Sequence, residues 1–455
     1  MAEIVIDGCA IATVDAAGTE YDVGHVVVSD GRIAAVGSGP APEVEGARRV
    51  DGSGCLATPG LVNTHHHLYQ RLTRGRAQNN TLFEWLVTLY PIWGQLDAEL
   101  EHAAASAGLA SLALSGCTTS TDHHYVFPHD GGDVLAAEIE AAIRIGLRFH
   151  PCRGSMDLGQ SQGGLPPDHV VEDRDAILAA CEDAVRRHHD PFFDSMVRIA
   201  LAPCSPFSVT GELMRESADL ARRLGVRMHT HLAETVDEDE FCMEHFGCRP
   251  VDYVESLGWL GDDVWLAHCV HLNGPDVAKL AATGTGTAHC PSSNGRLGAG
   301  IAPVPELLAA GAPVGLGVDG SASNEHSGLA VELRQAMLAA RSRRGPLALD
   351  ARESLAIGTI GGARCLGRQD EIGSLEPGKL ADVALWRLDG LGHADIEDPV
   401  CALVFGPPAP LALLLVGGHA VVEDDELRTA DTRTLATESR TAARTLAARA
   451  SEKAG

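Results

Sequence analysis

Three consecutive histidines, His65, His66 and His67, follow Thr64 at the end of a short apolar run. In an extended strand residues i and i+2 point to the same side, so His65 and His67 can offer two imidazoles to one metal ion while His66 points away. In a chain with 21 histidines that cluster is weak ground on its own. Matching groups, however, end later apolar runs: His229-Thr230-His231-Leu232-Ala233-Glu234, then His268, then Asp319. Four strand ends carrying imidazoles and carboxylates converge on one mouth if the strands are parallel and closed, a recurrence that loop polarity alone does not account for. The chemistry on offer is that of a divalent ion beside an acid.

Positioning such a set requires a β/α frame. Between residues 59 and 367 apolar strand-like runs at 61–64, 117–121, 147–150, 197–202, 226–229, 264–267, 286–288 and 314–318 alternate with Ala- and Leu-rich helical stretches such as 100–115 and 212–224. Eight such units predict an α/β fold, a closed (β/α)8 barrel with its chemistry at the C-terminal strand ends. The first 58 residues read as short antiparallel strands with an Asp30-Gly31 hairpin turn, and the same texture returns in residues 368–455. The two ends are therefore expected to form one small β-sandwich around the barrel, closed by a surface helix over 434–453.

Two local patterns are discounted. Gly159-Gln160-Ser161-Gln162-Gly163 has the form of a nucleophile elbow, but Gly164-Leu165-Pro166-Pro167 follows where a helix is needed. Gly315-Leu316-Gly317-Val318-Asp319-Gly320 has a dinucleotide-binding form, with an acid placed where it would repel a pyrophosphate.

Composition limits the partners. A formal charge of −27 disfavours nucleic acid and anionic membrane surfaces. Twelve cysteines scattered without a C-x-x-C pair read as reduced thiols of a cytoplasmic enzyme, and the opening residues lack a signal-peptide pattern. The apolar stretch 408–422 is too short for a membrane span and reads as buried strands. Only three of the 35 basic residues are lysines, none near a strand end of the mouth, which argues against a Schiff-base lysine.

The constellation resembles the amidohydrolase superfamily, in its cytosine/guanine deaminase and chlorohydrolase branch, over nearly the whole chain and including the turn Leu375-Glu376-Pro377-Gly378-Lys379-Leu380-Ala381-Asp382. The resemblance implies His65, His67, His231 and Asp319 as metal ligands, Glu234 as general acid/base, and His268 as the histidine that polarises the attacking water, with His271 as the alternative; Asp319 shares in catalysis. One divalent ion per subunit is implied, zinc with ferrous iron as the alternative. Such an ion lowers the pKa of bound water from ~15.7 toward ~7. Binuclear relatives carry a lysine on strand four, and none stands in Val197-Arg198-Ile199-Ala200-Leu201-Ala202-Pro203-Cys204.

The stretches around Gln70, Pro91-Ile92-Trp93 and Cys152-Arg153-Gly154-Ser155 look like those of the branch's 8-oxoguanine deaminases. That likeness implies conversion of 8-oxoguanine and water to urate and ammonia, with Gln70, Trp93, Arg153 and Cys204 contacting the base. Triazines, isocytosine and pterins are alternative substrates on the same site, and a non-catalytic scaffold is the alternative from another class. The loop 156–173 is either a lid or a plain connection. Related enzymes imply a homodimer or larger homo-oligomer.

Overall fold

The computed structural model describes residues 3–454; Met1, Ala2 and Gly455, which belong to the expected terminal module, lie outside the described residues. All eight apolar runs become strands of one closed parallel barrel: Leu61–Asn63, Cys117–His124, Arg148–Ser155, Ala200–Pro203, Met228–Leu232, Val264–His268, Gly286–His289 and Val314–Leu316. They pair in chain order, and Leu316 opposite Asn63 closes the ring. Helices return between them with ordinary chemical stops. Gly211–Leu224 is capped by the Thr210 hydroxyl, which accepts from Leu213 N, and ends at Gly225 with φ 68°.

Small side chains fill the barrel. Val62, Cys152, Ala200, Ala202 and Ala288 pack around Trp265, and Ala363, Cys365, Leu366 and Ile372 seal the floor. Trp265 also reaches upward, donating from Nε1 to Thr64 O at 2.9 Å and so fixing the residue before His65.

Among the described residues both terminal regions build one nine-stranded sheet, in which Cys55–Pro59 lies between Ile4–Ala12 and Val383–Arg387. Leu411–Val416 and His419–Glu423 continue it, as the apolar stretch 408–422 suggested. The sheet curls over its own core, which includes Ile6, Val28, Ile33, Val383 and Leu415. Gly60 alone separates Cys55–Pro59 from the first barrel strand, and a Cβ there would overlap the Thr118 side chain. A second tie is the buried pair Arg148–Asp382, with Nη2 to Oδ1 at 3.0 Å and Nε to Oδ2 at 3.2 Å. The last helix, Thr432–Ala454, lies against Ala98–Ala113 and buries Leu435 and Leu446. Among the described residues no helix is long and apolar enough to cross a membrane.

Candidate active site

The loop after barrel strand one is held on both sides. His65 O accepts from Asp319 N at 3.0 Å and His66 O from His123 N at 2.7 Å. His66 turns away from the mouth and accepts from His67 N through Nδ1 at 2.7 Å. His65, His67, His231, Glu234, His268 and Asp319 are all buried and meet at the barrel mouth. The structure thus brings together these six residues from four strand ends.

Hydrogen bonds assign the histidine tautomers. His67 Nδ1 donates to His123 O and His231 Nδ1 to Cys204 O, each at 2.7 Å. Both Nε2 atoms therefore carry lone pairs, and they face each other at 3.1 Å. His229 Nδ1 donates to Trp265 O, so its Nε2 accepts from His65 Nδ1 at 2.8 Å. That leaves a lone pair on His65 Nε2, which has no hydrogen-bond partner and lies 3.5 Å from Asp319 Oδ1. Asp319 Oδ1 is also 3.4 Å from His67 Nε2. Three neutral imidazole lone pairs and a carboxylate gathered in a dry site fit a divalent cation, because without one the lone pairs only repel.

Asp319 is kept anionic. Burial opposes its charge, but His268, His67 and the Ser293 hydroxyl at 2.5 Å hold its pKa down to about 2. Burial pushes Glu234 the other way, to about 7, with His268 drawing it down and Asp319 and Glu238 adding to the rise. Its backbone is anchored by Glu238, whose carboxylate accepts from Ala233 N at 2.8 Å and Glu234 N at 2.9 Å. Burial works against charge on His268, yet Glu234 and Asp319 outweigh it and raise its pKa above the ordinary value. His268 Nε2 stands 3.6 Å from Glu234 Oε2 and 4.0 Å from Asp319 Oδ2. His271 faces elsewhere, with Nε2 to Ala299 O at 2.9 Å. Ala233, His268 and Asp319 adopt φ of 52°, 70° and 62°, a left-handed backbone that non-glycine residues take at a cost.

Two positioning residues escape a reading of strand ends alone. Asn294 Oδ1 accepts a hydrogen bond from His268 Nδ1 at 3.0 Å. His123, two residues beyond the run expected for strand two, stacks on His231 with centroids 4.7 Å apart. His229 was visible, since it precedes His231 by two and shares its face.

Beside this centre lies a cavity of about 380 Å³, lined by Gln70, Trp85, Tyr90, Tyr125, Cys204 and Phe207 as well as by the central residues. Gln70 and Cys204 are placed as expected, with Gln70 Oε1 lacking a hydrogen-bond partner. Burial pushes the Cys204 thiol up to about 12, so it stays protonated. Trp93 does not line the cavity. It is fully buried behind Trp85, ring centroids 5.1 Å apart, and its Nε1 donates to Thr73 Oγ1 at 3.0 Å. The indole at the wall is Trp85, whose buried Nε1 has no partner.

Arg153 also lies away from the cavity. Cys152 joins the barrel interior, so strand alternation turns Arg153 outward, where it pairs with Glu172 at 2.7 Å and covers Phe127 at 3.6 Å. The loop 156–173 is tied back by Asp157, which accepts from Thr210 N at 2.7 Å, and none of its residues lines the cavity.

A family model described as the amidohydrolase family matches residues 56–421. The chain is 48% identical over 430 residues to an 8-oxoguanine deaminase of Pseudomonas aeruginosa, covering 93% of this chain and 95% of that protein. It is 40% identical over 423 residues to an isoxanthopterin deaminase of an unknown prokaryotic organism, covering 87% of each. Among solved structures, an atrazine chlorohydrolase from Arthrobacter aurescens TC1 complexed with zinc superimposes with a TM-score of 0.92 at 35% identity, over 97% of this chain and 100% of that one. Fold, site and these likenesses define a barrel hydrolase acting on carbon–nitrogen bonds. The chain belongs to the amidohydrolase family.

Proposed function

We propose that the protein is a metal-dependent aminohydrolase whose substrate is 8-oxoguanine, converted with water to urate and ammonia. The observation that carries this reading is the cavity that Gln70 and Trp85 line together with Glu234 and His268, in which the buried Gln70 Oε1 and Trp85 Nε1 have no protein partner. An acceptor and a donor so placed suit the ring N–H and carbonyl groups of an oxidised purine, and burying them unpaired would otherwise be costly. The 48% identity to an 8-oxoguanine deaminase supports the same choice.

His65, His67, His231 and Asp319 would hold one divalent ion, zinc by preference with ferrous iron suited to the same donors. When bound, the ion supplies the Lewis acidity that makes water nucleophilic at neutral pH. Glu234, poised at about 7 by burial, takes a proton from the attacking water and delivers it to a ring nitrogen. His268, oriented by Asn294 and raised in pKa, donates toward the oxygen that gains charge at the attacked carbon. Asp319, being anionic, accepts the remaining proton from the new hydroxyl at the attacked carbon and, with His268, passes it to the amine, which leaves as ammonia while that carbon becomes a carbonyl. Tyr90, Phe207 and Trp85 hold the ring flat and keep bulk water out.

The first test is ammonia release from 8-oxoguanine, guanine, isocytosine, isoxanthopterin and hydroxyatrazine, with metal analysis of the same protein. A lead of at least about tenfold in kcat/KM for 8-oxoguanine, about 1.4 kcal/mol, supports the assignment. Bound metal with another heterocycle preferred keeps the machinery and replaces the substrate. In this reading residues 1–58, 59–367 and 368–455 divide the chain into terminal sheet, catalytic barrel and terminal sheet with helix, and the enzyme works in the cytoplasm as a homodimer or larger assembly.

A further inference from the structure

Strand alternation sends Asp122 and His124 to the side of barrel strand two opposite His123, into the helix layer. There they meet Glu101 of Ala98–Ala113 and Glu138 of Val134–Ile145, and all four side chains are fully buried. Among the described residues no arginine or lysine forms an ion pair with them; the basic group within the cluster is His124, which burial keeps neutral by lowering its pKa to about 3. Asp122 Oδ1 accepts from Leu68 N at 2.6 Å. The other five carboxylate oxygens, Asp122 Oδ2 and both from Glu101 and Glu138, meet no donor.

His124 points into the same space. Its Nε2 donates to Val126 O at 2.8 Å, which leaves a lone pair on the unpartnered Nδ1. That nitrogen lies 3.9 Å from Glu101 Oε1 and 3.8 Å from Glu138 Oε2. These separations are too long for hydrogen bonds. Ligands about 2.0–2.6 Å from a shared ion stand roughly 3–5 Å apart, and the three atoms lie within 4.8 Å of one another.

We propose that Glu101, Glu138, His124 and Asp122 form a second site for a divalent cation, structural in role and separate from the barrel mouth. Carboxylates with one imidazole suit a manganese-like ion. The competing occupant is protons: burial raises the pKa of Glu101 and Glu138 and brings Asp122 to about 7, and Asp122 and Glu138 are close enough to share one. At 3.8 and 3.9 Å a protonated carboxyl does not reach the His124 lone pair, and burial disfavours a proton on the ring, whereas a cation answers the lone pair and the carboxylates together. Through Asp122 the site also grips Leu68 N, next to His67.

The test does not depend on the proposed reaction. The full-length protein, stripped with a chelator and then dialysed against Mn2+, is compared with a His67→Ala/His231→Ala variant and a Glu101→Gln/Glu138→Gln variant by metal content, Mn2+ electron paramagnetic resonance and thermal melting. We expect two equivalents in the parent and one in each variant. The melting temperature of the His67→Ala/His231→Ala protein should rise with Mn2+. One equivalent in the parent, with none bound and no shift in the His67→Ala/His231→Ala protein, overturns the proposal. That variant keeps the proposal testable even where the glutamine variant does not fold.

Discussion

His67 Nε2 and His231 Nε2 face each other across 3.1 Å, each with its Nδ1 already committed to a backbone carbonyl. Neither ring can turn to donate to the other without giving up that carbonyl. The two lone pairs therefore repel each other, and a cation held by both rings would relieve that repulsion. We predict that chelation lowers the melting temperature and that zinc restores it, since a ligand at 100 times its Kd stabilises by about 2.7 kcal/mol. His231→Ala should abolish activity and the associated metal equivalent; a variant that keeps both would remove His231 from the centre.

As the proposed base, Glu234 should set the acid limb of the rate profile. Its pKa is raised by burial to about 7, and as the base it must be ionised, so kcat/KM falls as pH drops through that value. A bound cation favours the carboxylate and moves the limb to 7 or below. Glu234→Gln should keep the metal, abolish the limb and lower kcat by about 10²–10⁴-fold. Turnover of the variant near that of the parent, or a parent profile that stays level down to pH 5, would falsify the proton-transfer role.

Trp85 and Trp93 should separate cleanly. Trp85→Phe keeps a ring at the cavity wall but removes the unpaired N–H, and about 1 kcal/mol of lost hydrogen bonding corresponds to roughly a fivefold rise in KM for 8-oxoguanine. Trp93→Phe breaks the bond to Thr73 and should cost about 1 kcal/mol of stability with KM unchanged. Steady-state kinetics and denaturant melts of both variants decide the matter, and the reverse pattern would mean that Trp93 faces the substrate.

Asp382→Asn leaves the Arg148 guanidinium buried beside a neutral amide. Stability should fall by about 3–5 kcal/mol, as for other broken buried pairs. KM should stay within about twofold at temperatures where the variant is folded, because neither residue touches the cavity. A loss below 1 kcal/mol in a denaturant titration would mean that the pair does not tie sheet to barrel.

The barrel was legible because its strands are short apolar runs that end in polar residues, and every one of the eight appears. The six central residues were legible for the same reason: they sit at those ends. Side-chain direction was also available from parity, and it places Arg153 on the helix side together with Phe149, opposite Cys152. The choice between Trp85 and Trp93 was not. Leu82, Leu86, Tyr90 and Trp93 follow one helical stripe, but only packing decides which turn of Leu82–Trp93 lies over the mouth and which runs past it. Asn294 and His123 depend on how neighbouring strands register, a tertiary fact that spacing along the chain does not carry.

Gly60 gives the terminal sheet a consequence for modularity. With one residue between Cys55–Pro59 and Leu61–Asn63, sheet and barrel share a continuous spar that ends at His65, and no linker lets one unit move while the other stays still. A chain cut after residue 367 would strip Val383–Arg387 from Cys55–Pro59, baring a hydrogen-bonding edge a few residues from the catalytic centre. The barrel is thus not separable as a minimal enzyme, and fusion or grafting that preserves activity has to carry both ends of the chain with it.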